Sequence, residues 1–387
     1  MYDMKISDSV VFIGVNDKTI DLFESQYKVP KGVSYNSYVI LDEKVAVMDT
    51  VDKRATDPWL ENLDKALDGR SVDYLVISHL EPDHASNIQR LAEKYPEMKL
   101  VGNAKIFSML PQFFDFDFSE RKVVVKEGDT LSLGSHTLQF FMAPMVHWPE
   151  VMVEYEQSEK ILFSADGFGK FGALDEEEDW TDEARRYFIN IVGKYGTQVQ
   201  NLLKKAATLD IQTICPLHGP VLKENLGYYI EKYLTWSSYE PEEEGVVIAY
   251  ASIHGNTAKA AEKMAEILKE KGAKAVCCFD LARDDMAEAV ADAFRYGKII
   301  LAAASYDAGV FPPMEDFLHR LVHKNLQKRT FGLIENGSWA PCAAKGMKGI
   351  LEGMKEVNVC ENVVSIKSTM KDTDVAKMEE LAKEILA

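Results

Sequence analysis

Unbroken apolar runs and helically spaced apolar residues alternate along the first 236 residues of the chain. Residues 45–49 and 74–78 are such runs, which predicts two buried strands. In residues 59–67 and 85–95 apolar side chains recur every three or four positions, and this spacing predicts two amphipathic helices. The first part of the chain is therefore expected to mix strands and helices.

A block of closely spaced strands with Gly-containing turns comes next. Its predicted strands are residues 122–125, 129–133, 136–142, 151–156 and 161–164. A long helical stretch is predicted for residues 181–207.

The pattern changes after residues 238–245, which combine Pro, Gly and a run of acids and offer little that could enter a core. Five apolar strands separated by helical segments follow, and they predict a doubly wound parallel sheet covered on both faces. The predicted strands are residues 246–250, 275–279, 299–304, 331–334 and 363–366. We therefore predict one domain over residues 1–240 and a second over residues 246–387.

Composition limits the possible functions. A chain of 387 residues with 47% hydrophobic and 27% charged residues has room for two globular cores. The net charge of −18 argues against a nucleic-acid partner. No apolar run is long enough to cross a membrane and no leader segment is visible, so a cytoplasmic protein is expected. The five cysteines form no CxxC pair, so no rubredoxin-type iron site is expected in this chain.

The segment HLEPDH, residues 79–84, carries the strongest chemical signal. It places His79, Glu81, Asp83 and His84 directly after a predicted buried strand. These groups would repel one another and lose solvation unless a cation held them. A polar loop that caps a helix is the plainer interpretation, but the density of ligand side chains favours a metal site, and one of two metals.

Three further ligand side chains also follow predicted strands. His147 comes after residues 136–142, Asp166 after residues 161–164, and His218 after an apolar stretch ending at Cys215. A single histidine at a strand end is more often structural, but this recurrence favours one shared ligand site.

With these residues, the HxExDH pattern resembles the metallo-β-lactamase-like domain of the flavodiiron proteins. That resemblance implies an α/β chain: an αββα domain followed by a flavodoxin-like domain. Hydrolases of the same superfamily carry HxHxDH and bind zinc, whereas this chain has Glu81 at the second histidine position. A carboxylate adds negative charge and a hard oxygen donor, which favours iron over zinc.

The resemblance also implies a ligand assignment. His79, Glu81 and His147 would bind one iron, and Asp83, His84 and His218 the other. Asp166, with an oxo or hydroxo group, would bridge the two ions. Near the pocket, Tyr27, Tyr35 and Trp148 are candidates for a catalytic role, although core packing explains each of them equally well.

The second domain carries a candidate phosphate cradle. A strand, a loop of hydroxyl and amide side chains with one glycine, and a helix N-terminus form a natural anion site, in which Thr257 is a candidate N-cap. In the flavodoxin-like order, FMN lies over the carboxyl ends of the first, third and fourth strands. The candidate FMN residues are Ser252, Ile253, His254, Gly255, Asn256 and Thr257; Ser305, Tyr306, Asp307, Ala308 and Gly309; and Asn336, Gly337, Ser338, Trp339 and Ala340.

This domain resembles the flavodoxin domain of the same family, with Tyr306 and Trp339 as candidates to pack on the flavin ring. Ala304, Asp307 and Ala308 depart from residues common in that family, so we infer no flavin potential from it. The absence of a GxGxxG loop argues against direct NAD(P)H binding.

The resemblance implies an oxidoreductase that reduces O2 to water, NO to N2O or both, with electrons passing through FMN from a rubredoxin or a similar small protein. It also implies a head-to-tail homodimer or a dimer of dimers. Two alternatives stay open: a zinc-dependent metallo-hydrolase with an accessory flavodoxin domain, and an electron carrier with a structural metal site.

Overall fold

A computed structural model describes residues 5–387 of the chain. The chain divides into two compact units. Residues up to Phe188 and Thr197–Leu234 form the first unit, and Ile189–Gly196 and Thr235–Ala387 form the second. The second unit thus includes two short segments that precede the predicted boundary between residues 240 and 246.

The first unit contains a six-stranded sheet whose spatial order follows the chain. The first three strands pair antiparallel and the rest pair parallel. Its strands are Val10–Phe12, Tyr38–Leu41, Val45–Met48, Tyr74–Val76, Lys99–Asn103 and Lys122–Val125. The second unbroken apolar run thus ends as a strand at Val76, three residues before the first ligand candidate.

A five-stranded sheet, also in chain order, faces the first one within this unit. Its strands are Thr130–Ser132, Thr137–Met142, Met152–Glu156, Ile161–Phe163 and Thr213–Cys215. The ring centroid of Tyr38 in the first sheet lies 5.5 Å from that of Phe163 in the second. The aromatic contact places part of the core between the two sheets. Two small hairpin-like ribbons complete the strands: Val15–Asp17 with Val33–Tyr35, and Leu22–Phe23 with Tyr27–Lys28.

Helices flank the sheets of the first unit, and two of the predicted helices are interrupted. The helix predicted for residues 85–95 is split at Asn87, whose side-chain amide donates a hydrogen bond to the Val51 carbonyl. The stretch predicted for residues 181–207 is broken into α, π and 3-10 turns around Gly193 and Gly196. The α-helices are Thr56–Leu67, Pro82–Ala85, Ile88–Lys94, Ala104–Met109, Trp180–Tyr187, Gly196–Ala206 and Leu226–Ser237.

The second unit contains a sheet of five main strands in which every neighbouring pair is parallel, and a sixth, two-residue strand, Gly309–Val310, pairs antiparallel with one of them. In spatial order its strands are Val276–Asp280, Glu243–Ala251, Tyr296–Tyr306, Arg329–Asn336 and Val357–Ile366. The order 2-1-3-4-5 confirms the predicted doubly wound sheet. Its helices are Asn256–Glu270, Met286–Arg295, Pro312–His323, Ala343–Leu351 and Asp372–Leu386.

A buried arginine ties the start of the second unit to its sheet. The Arg329 guanidinium donates hydrogen bonds to five backbone carbonyls, including those of Tyr239, Ala293 and Phe294. Burial lowers the pKa of this guanidinium to about 10, while the charge of Glu240 opposes that shift. The charge is therefore held mainly by oriented peptide dipoles.

Within residues 5–387, no helix has the length and apolar character that a membrane span requires.

Candidate metal centre and flavin pocket

Four of the predicted ligands converge at the ends of the strands in the first unit. The Nε2 atom of His79 lies 3.2 Å from Glu81 Oε2 and 3.5 Å from Asp166 Oδ2. The Nε2 atom of His147 lies 3.1 Å from the same Glu81 oxygen and 3.4 Å from the same Asp166 oxygen. Ligand atoms of these four residues all lie within 4.8 Å of one another, so one ion could contact all of them.

The other three predicted ligands form a second group. The Nε2 atom of His84 lies 3.3 Å from Asp83 Oδ2, and that of His218 lies 3.2 Å from the same oxygen. The two imidazole Nε2 atoms are 3.1 Å apart. This group also satisfies the spacing of a metal site.

Asp166 connects the two groups. Its Oδ2 atom faces His79 and His147, whereas its Oδ1 atom lies 3.3 Å from His84 Nε2 and 3.8 Å from His218 Nε2. Both oxygens are buried and accept no hydrogen bond. A buried carboxylate without hydrogen bonds requires positive charge beside it, and a metal ion on each side would supply that charge. The seven residues therefore fit a two-metal site bridged by Asp166.

The electrostatics of the site agree with that fit. Burial alone would raise the pKa of Asp166, but the imidazoles of His147 and His84 bring it well below its usual range. Conversely, burial opposes protonation of His147, yet the carboxylates of Asp166 and Glu81 raise its pKa to about 9. The carboxylates that stabilise imidazolium here would equally stabilise a metal cation.

Glu150 orients His79 and was not foreseen from the sequence. Its Oε1 atom lies 2.8 Å from His79 Nδ1 and accepts a hydrogen bond from the Leu80 N–H at 3.0 Å. A donor at Nδ1 leaves the Nε2 lone pair free to face a metal. His218 is oriented in the same way, because its Nδ1 atom lies 2.7 Å from the Ser34 carbonyl oxygen. The position of Glu150 three residues after His147 does not by itself indicate this contact, because the two partners are 71 residues apart in sequence.

A buried acidic cluster fixes the strand end that precedes His79. The Ser78 hydroxyl donates to Glu154 Oε2 at 2.9 Å, and the Ser78 N–H donates to Asp49 Oδ1 at 2.8 Å. Burial, and after it the charge of Asp49, raises the pKa of Glu154 well above its ordinary value. Burial also raises the pKa of Asp49 to about 6. The cluster positions the backbone from which the first ligands project.

Two residues near the site were not predicted. Glu24 is exposed, yet partial desolvation by the surrounding protein, and after it the charge of Glu81, raises its pKa to about 7. Glu24 lies between the strands Leu22–Phe23 and Tyr27–Lys28 and has a positive φ of 48°. The ring of Tyr187 lies 5.4 Å from that of His218. Nothing in the local sequence signals either residue, because both are brought in by tertiary packing.

The three aromatic candidates lie in different surroundings. The Trp148 ring stands edge-on to His79 at a centroid distance of 5.2 Å, and the Tyr35 ring lies 6.1 Å from His218. Tyr27 is buried and its ring lies 6.0 Å from that of Phe171. A catalytic role for Tyr27 or Trp148 stays a prediction.

Positive backbone φ angles accompany the ligand loops. Met145 has φ of 66°, Ala165 of 49° and Phe168 of 66°, so left-handed residues flank both His147 and Asp166. Such conformations in residues other than glycine cost energy, and they concentrate at functional sites.

The predicted FMN residues lie around one cavity of about 650 Å³ in the second unit. That volume is typical of a pocket for a cofactor-sized ligand. All the predicted residues line it except Gly255 and Gly309, and Ala304, Cys342 and Ser368 join them. Of the missed residues, Cys342 comes two positions after the predicted loop that ends at Ala340, whereas Ser368 follows the fifth strand, whose loop was not predicted to contribute.

The loop predicted to hold the FMN phosphate lines this pocket, but the cap of the helix that follows it differs from the prediction. Ser252 Oγ accepts a hydrogen bond from the Gly255 N–H at 3.0 Å, and the helix begins at Asn256. Gly255, with φ of +89°, is the N-cap residue, and Thr257 lies inside the first turn. The expectation that Thr257 caps the helix was therefore wrong, because the chain enters through a left-handed glycine. The helix N-terminus still offers free N–H groups to an anion.

The ring end of the pocket contains a tight hairpin. The third strand continues through Tyr306 and turns back at Asp307 and Ala308, which both have positive φ, to pair with Gly309–Val310. Tyr306 is 46% exposed and Trp339 is 90% exposed. Both rings are therefore accessible to a planar ligand, and the pocket fits FMN by its volume, its anion cradle and its aromatic edges.

Two protein-family models match the chain. Residues 33–219 match the ODP family beta lactamase model, and residues 248–382 match the flavodoxin model. The matches cover the metal groups and the flavin pocket respectively.

The chain is similar to several known proteins. It is 30% identical to an anaerobic nitric oxide reductase flavorubredoxin of Aliivibrio salmonicida, over 86% of this chain and 69% of that protein. It is 28% identical to an uncharacterized protein of Methanocaldococcus jannaschii, over 99% and 98% of the two chains. The structure of rubredoxin oxygen:oxidoreductase from Desulfovibrio gigas shares 27% identity and superposes with a TM-score of 0.91, over 98% and 97% of the two chains. The flavodiiron protein from Giardia intestinalis shares the fold, with a TM-score of 0.88 over 100% and 97% of the chains at 22% identity.

Proposed function

The chain belongs to the flavodiiron protein family, and from this premise we propose that it reduces O2 to water, NO to N2O, or both. The reaction takes place at two iron ions in the first unit, and the second unit holds FMN. The chain is thus an oxidoreductase.

The arrangement of Asp166 is the observation that carries this proposal. Each of its oxygens faces a different ligand group, and neither accepts a hydrogen bond. His79, Glu81 and His147 would hold one iron, and Asp83, His84 and His218 the other. Asp166 would be shared by both ions, which would together supply the redox chemistry.

Glu81 supports iron over zinc. It is the acid between the imidazoles of His79 and His147, at 3.2 and 3.1 Å from their Nε2 atoms. A third imidazole there would suit zinc, whereas the carboxylate adds a hard, negatively charged donor. Bound zinc in place of iron, with hydrolytic activity, would support the alternative of a metallo-hydrolase with an accessory flavodoxin domain.

When bound, two ferrous ions and a fully reduced flavin together supply four electrons, enough to convert one O2 to two waters, while two suffice to couple two NO into N2O. The residues of the chain hold and orient these groups. Glu150 and the Ser34 carbonyl orient the imidazoles of His79 and His218. Ser252, Gly255 and the helix beginning at Asn256 would hold the FMN phosphate.

Electrons are proposed to come from a rubredoxin or a similar small redox protein. Similarity to a rubredoxin oxygen:oxidoreductase and to flavorubredoxins supports this choice. We also propose a cytoplasmic, head-to-tail homodimer or dimer of dimers, in which the flavin of one subunit serves the irons of another. A monomer with full turnover would contradict the dimer.

The function is tested by measuring turnover in anoxic buffer to which either O2 or NO is added, with the same reduced rubredoxin as electron donor in both cases. We expect consumption of at least one gas, with water or N2O as product and little free peroxide. Stoichiometric peroxide release, or no consumption of either gas by iron- and FMN-loaded protein, would contradict the proposal. An Asp166→Asn variant with its FMN intact controls for reduction of O2 by the flavin alone.

A further inference from the structure

An apolar cavity of about 30 Å³ lies inside the first unit. Resting on the function proposed above, we infer that this cavity binds a small non-polar gas, O2 or NO, and passes it to the metal centre. Its volume is sufficient for a small diatomic molecule.

The cavity lies between a helix and the second sheet. Representative lining side chains are Phe141, Val153 and Leu162 from the sheet and Val199, Leu203 and Ala206 from the helix Gly196–Ala206. At the helix end, Ala206 and Leu209 are half-buried, whereas Val153 at the sheet is buried. The cavity therefore runs from a partly exposed helix end towards the buried interior.

Its inner wall is formed by the loops that carry metal ligands. Val146 lines the cavity, and the next residue is His147; Ser164 and Gly167 line it on either side of Asp166. At two separate loops, residues that line the cavity are therefore one or two positions in sequence from a predicted metal ligand. A gas molecule in the cavity would lie against the loops that carry His147 and Asp166.

The polar side chains in the lining are engaged with other groups. The Ser164 hydroxyl donates to the Gly167 carbonyl at 2.6 Å, and the Tyr233 hydroxyl oxygen accepts from the Phe168 N–H at 2.6 Å. Lys205 Nζ donates to Glu127 and to the Met142 carbonyl. Water needs two to four polar partners to occupy a buried site, while cavities lined by apolar groups stay dry and bind gases such as xenon. The chemistry of the lining therefore selects non-polar gas over water.

Xenon is the probe that tests binding. We expect one xenon site between Phe168 and Ala206 in crystals of the holoprotein under xenon pressure. Ala206→Leu should remove that site by filling the cavity. Ala207→Leu is the matched control, because Ala207 is the next residue, is exposed and does not line the cavity. Leu209→Phe is a second filling variant in case Ala206→Leu does not fold.

Kinetic measurements test whether the cavity delivers gas to the metal centre. In the filled variants, the second-order rate constant for oxidation of the reduced protein by O2 or NO should fall at least about three-fold, with kcat at saturating gas unchanged. Iron content, FMN content and thermal unfolding establish that each variant is intact. The Ala207→Leu control should match the wild type.

The two proposals fail in different ways. No xenon in the cavity, or an unchanged rate constant in an intact variant that excludes xenon, would overturn the inference and leave the proposed function standing. A wild-type protein that binds xenon there but reduces neither gas would overturn the proposed function, while the cavity would remain a gas-binding site.

Discussion

The His79 Nδ1 atom lies 2.8 Å from Glu150 Oε1, and both side chains are completely buried. Because that carboxylate fixes which nitrogen carries the proton, Nε2 is presented to the first metal group. Loss of such an orienting partner typically lowers metal affinity 10–100-fold.

Glu150→Gln should therefore lower iron affinity at the His79 group by about 10–100-fold while FMN stays bound. Competition with a ferrous chelator under anoxic conditions measures the change. Glu97→Gln, at an exposed glutamate, is the control and should bind iron as the wild type does. Because the Gln oxygen can still accept from His79 Nδ1, equal iron retention in Glu150→Gln and the control would show that the negative charge of Glu150 is not needed to strengthen His79 as a ligand.

Glu81→His should shift metal preference towards zinc. The change replaces the hard, charged donor between His79 and His147 with a neutral imidazole, the ligand type that suits zinc. The iron-to-zinc ratio after refolding with equal concentrations of both ions measures this preference. A ratio equal to that of the wild type would mean that Glu81 does not select the metal.

A buried histidine outside the two ligand groups makes the stability of the fold depend on pH. His136 Nδ1 lies 2.8 Å from Asp42 Oδ2, and its Nε2 lies 3.0 Å from Glu159 Oε1. Burial opposes protonation, but these two carboxylates raise the pKa of His136 above its ordinary value of 6.5. A group whose pKa is raised by folding contributes its full stabilisation at pH values below its pKa in the unfolded chain. That stabilisation is lost as the pH rises through the pKa of the group in the folded protein.

His136→Gln should therefore lower the unfolding midpoint more at pH 6 than at pH 9, by at least about 2 °C. Thermal unfolding followed by circular dichroism measures it. Ser135→Ala removes a neutral contact to Asp42 and should give a loss independent of pH. If the unfolding midpoint of His136→Gln fell further below that of the wild type at pH 9 than at pH 6, the prediction would be contradicted.

Arg329→Met should destabilise the second unit by on the order of 3 kcal/mol, because buried carbonyls lose their donors. The transition that releases FMN on heating measures the effect. Arg320→Met, which removes a helix-surface ion pair with Asp316, should cost no more than about 0.5 kcal/mol. Similar losses in the two variants would mean that the carbonyl contacts contribute little.

The ligand positions at the strand ends could be predicted from the sequence, because side chains that can bind a metal come shortly after apolar runs there. His79 to His84 follow an unbroken apolar run, and His147, Asp166 and His218 follow strands, so strand assignment alone brings them to one region. The family and fold predictions were confirmed. The prediction that Thr257 caps the helix was wrong. A hydroxyl inside the first turn gives the same signal in the sequence as a hydroxyl at the cap, and only the structure shows that Gly255, with its positive φ, is the cap residue.

Residues that act across the fold could not be predicted. Glu150 contacts His79, which is 71 residues away in sequence, and the Glu154 carboxylate contacts Ser78, which is 76 residues away. Their own neighbours show only a strand and a turn. The cavity lining is likewise ordinary core sequence until the helix Gly196–Ala206 leaves space against the sheet.

Mössbauer spectroscopy of the oxidised protein, loaded with ⁵⁷Fe under anoxic conditions, tests the two-iron centre most directly. We expect two irons per chain whose spins couple to a diamagnetic ground state, with the coupling lost or weakened in Asp166→Asn. One iron per chain, or two irons that behave as isolated paramagnetic ions, would contradict a centre bridged by Asp166.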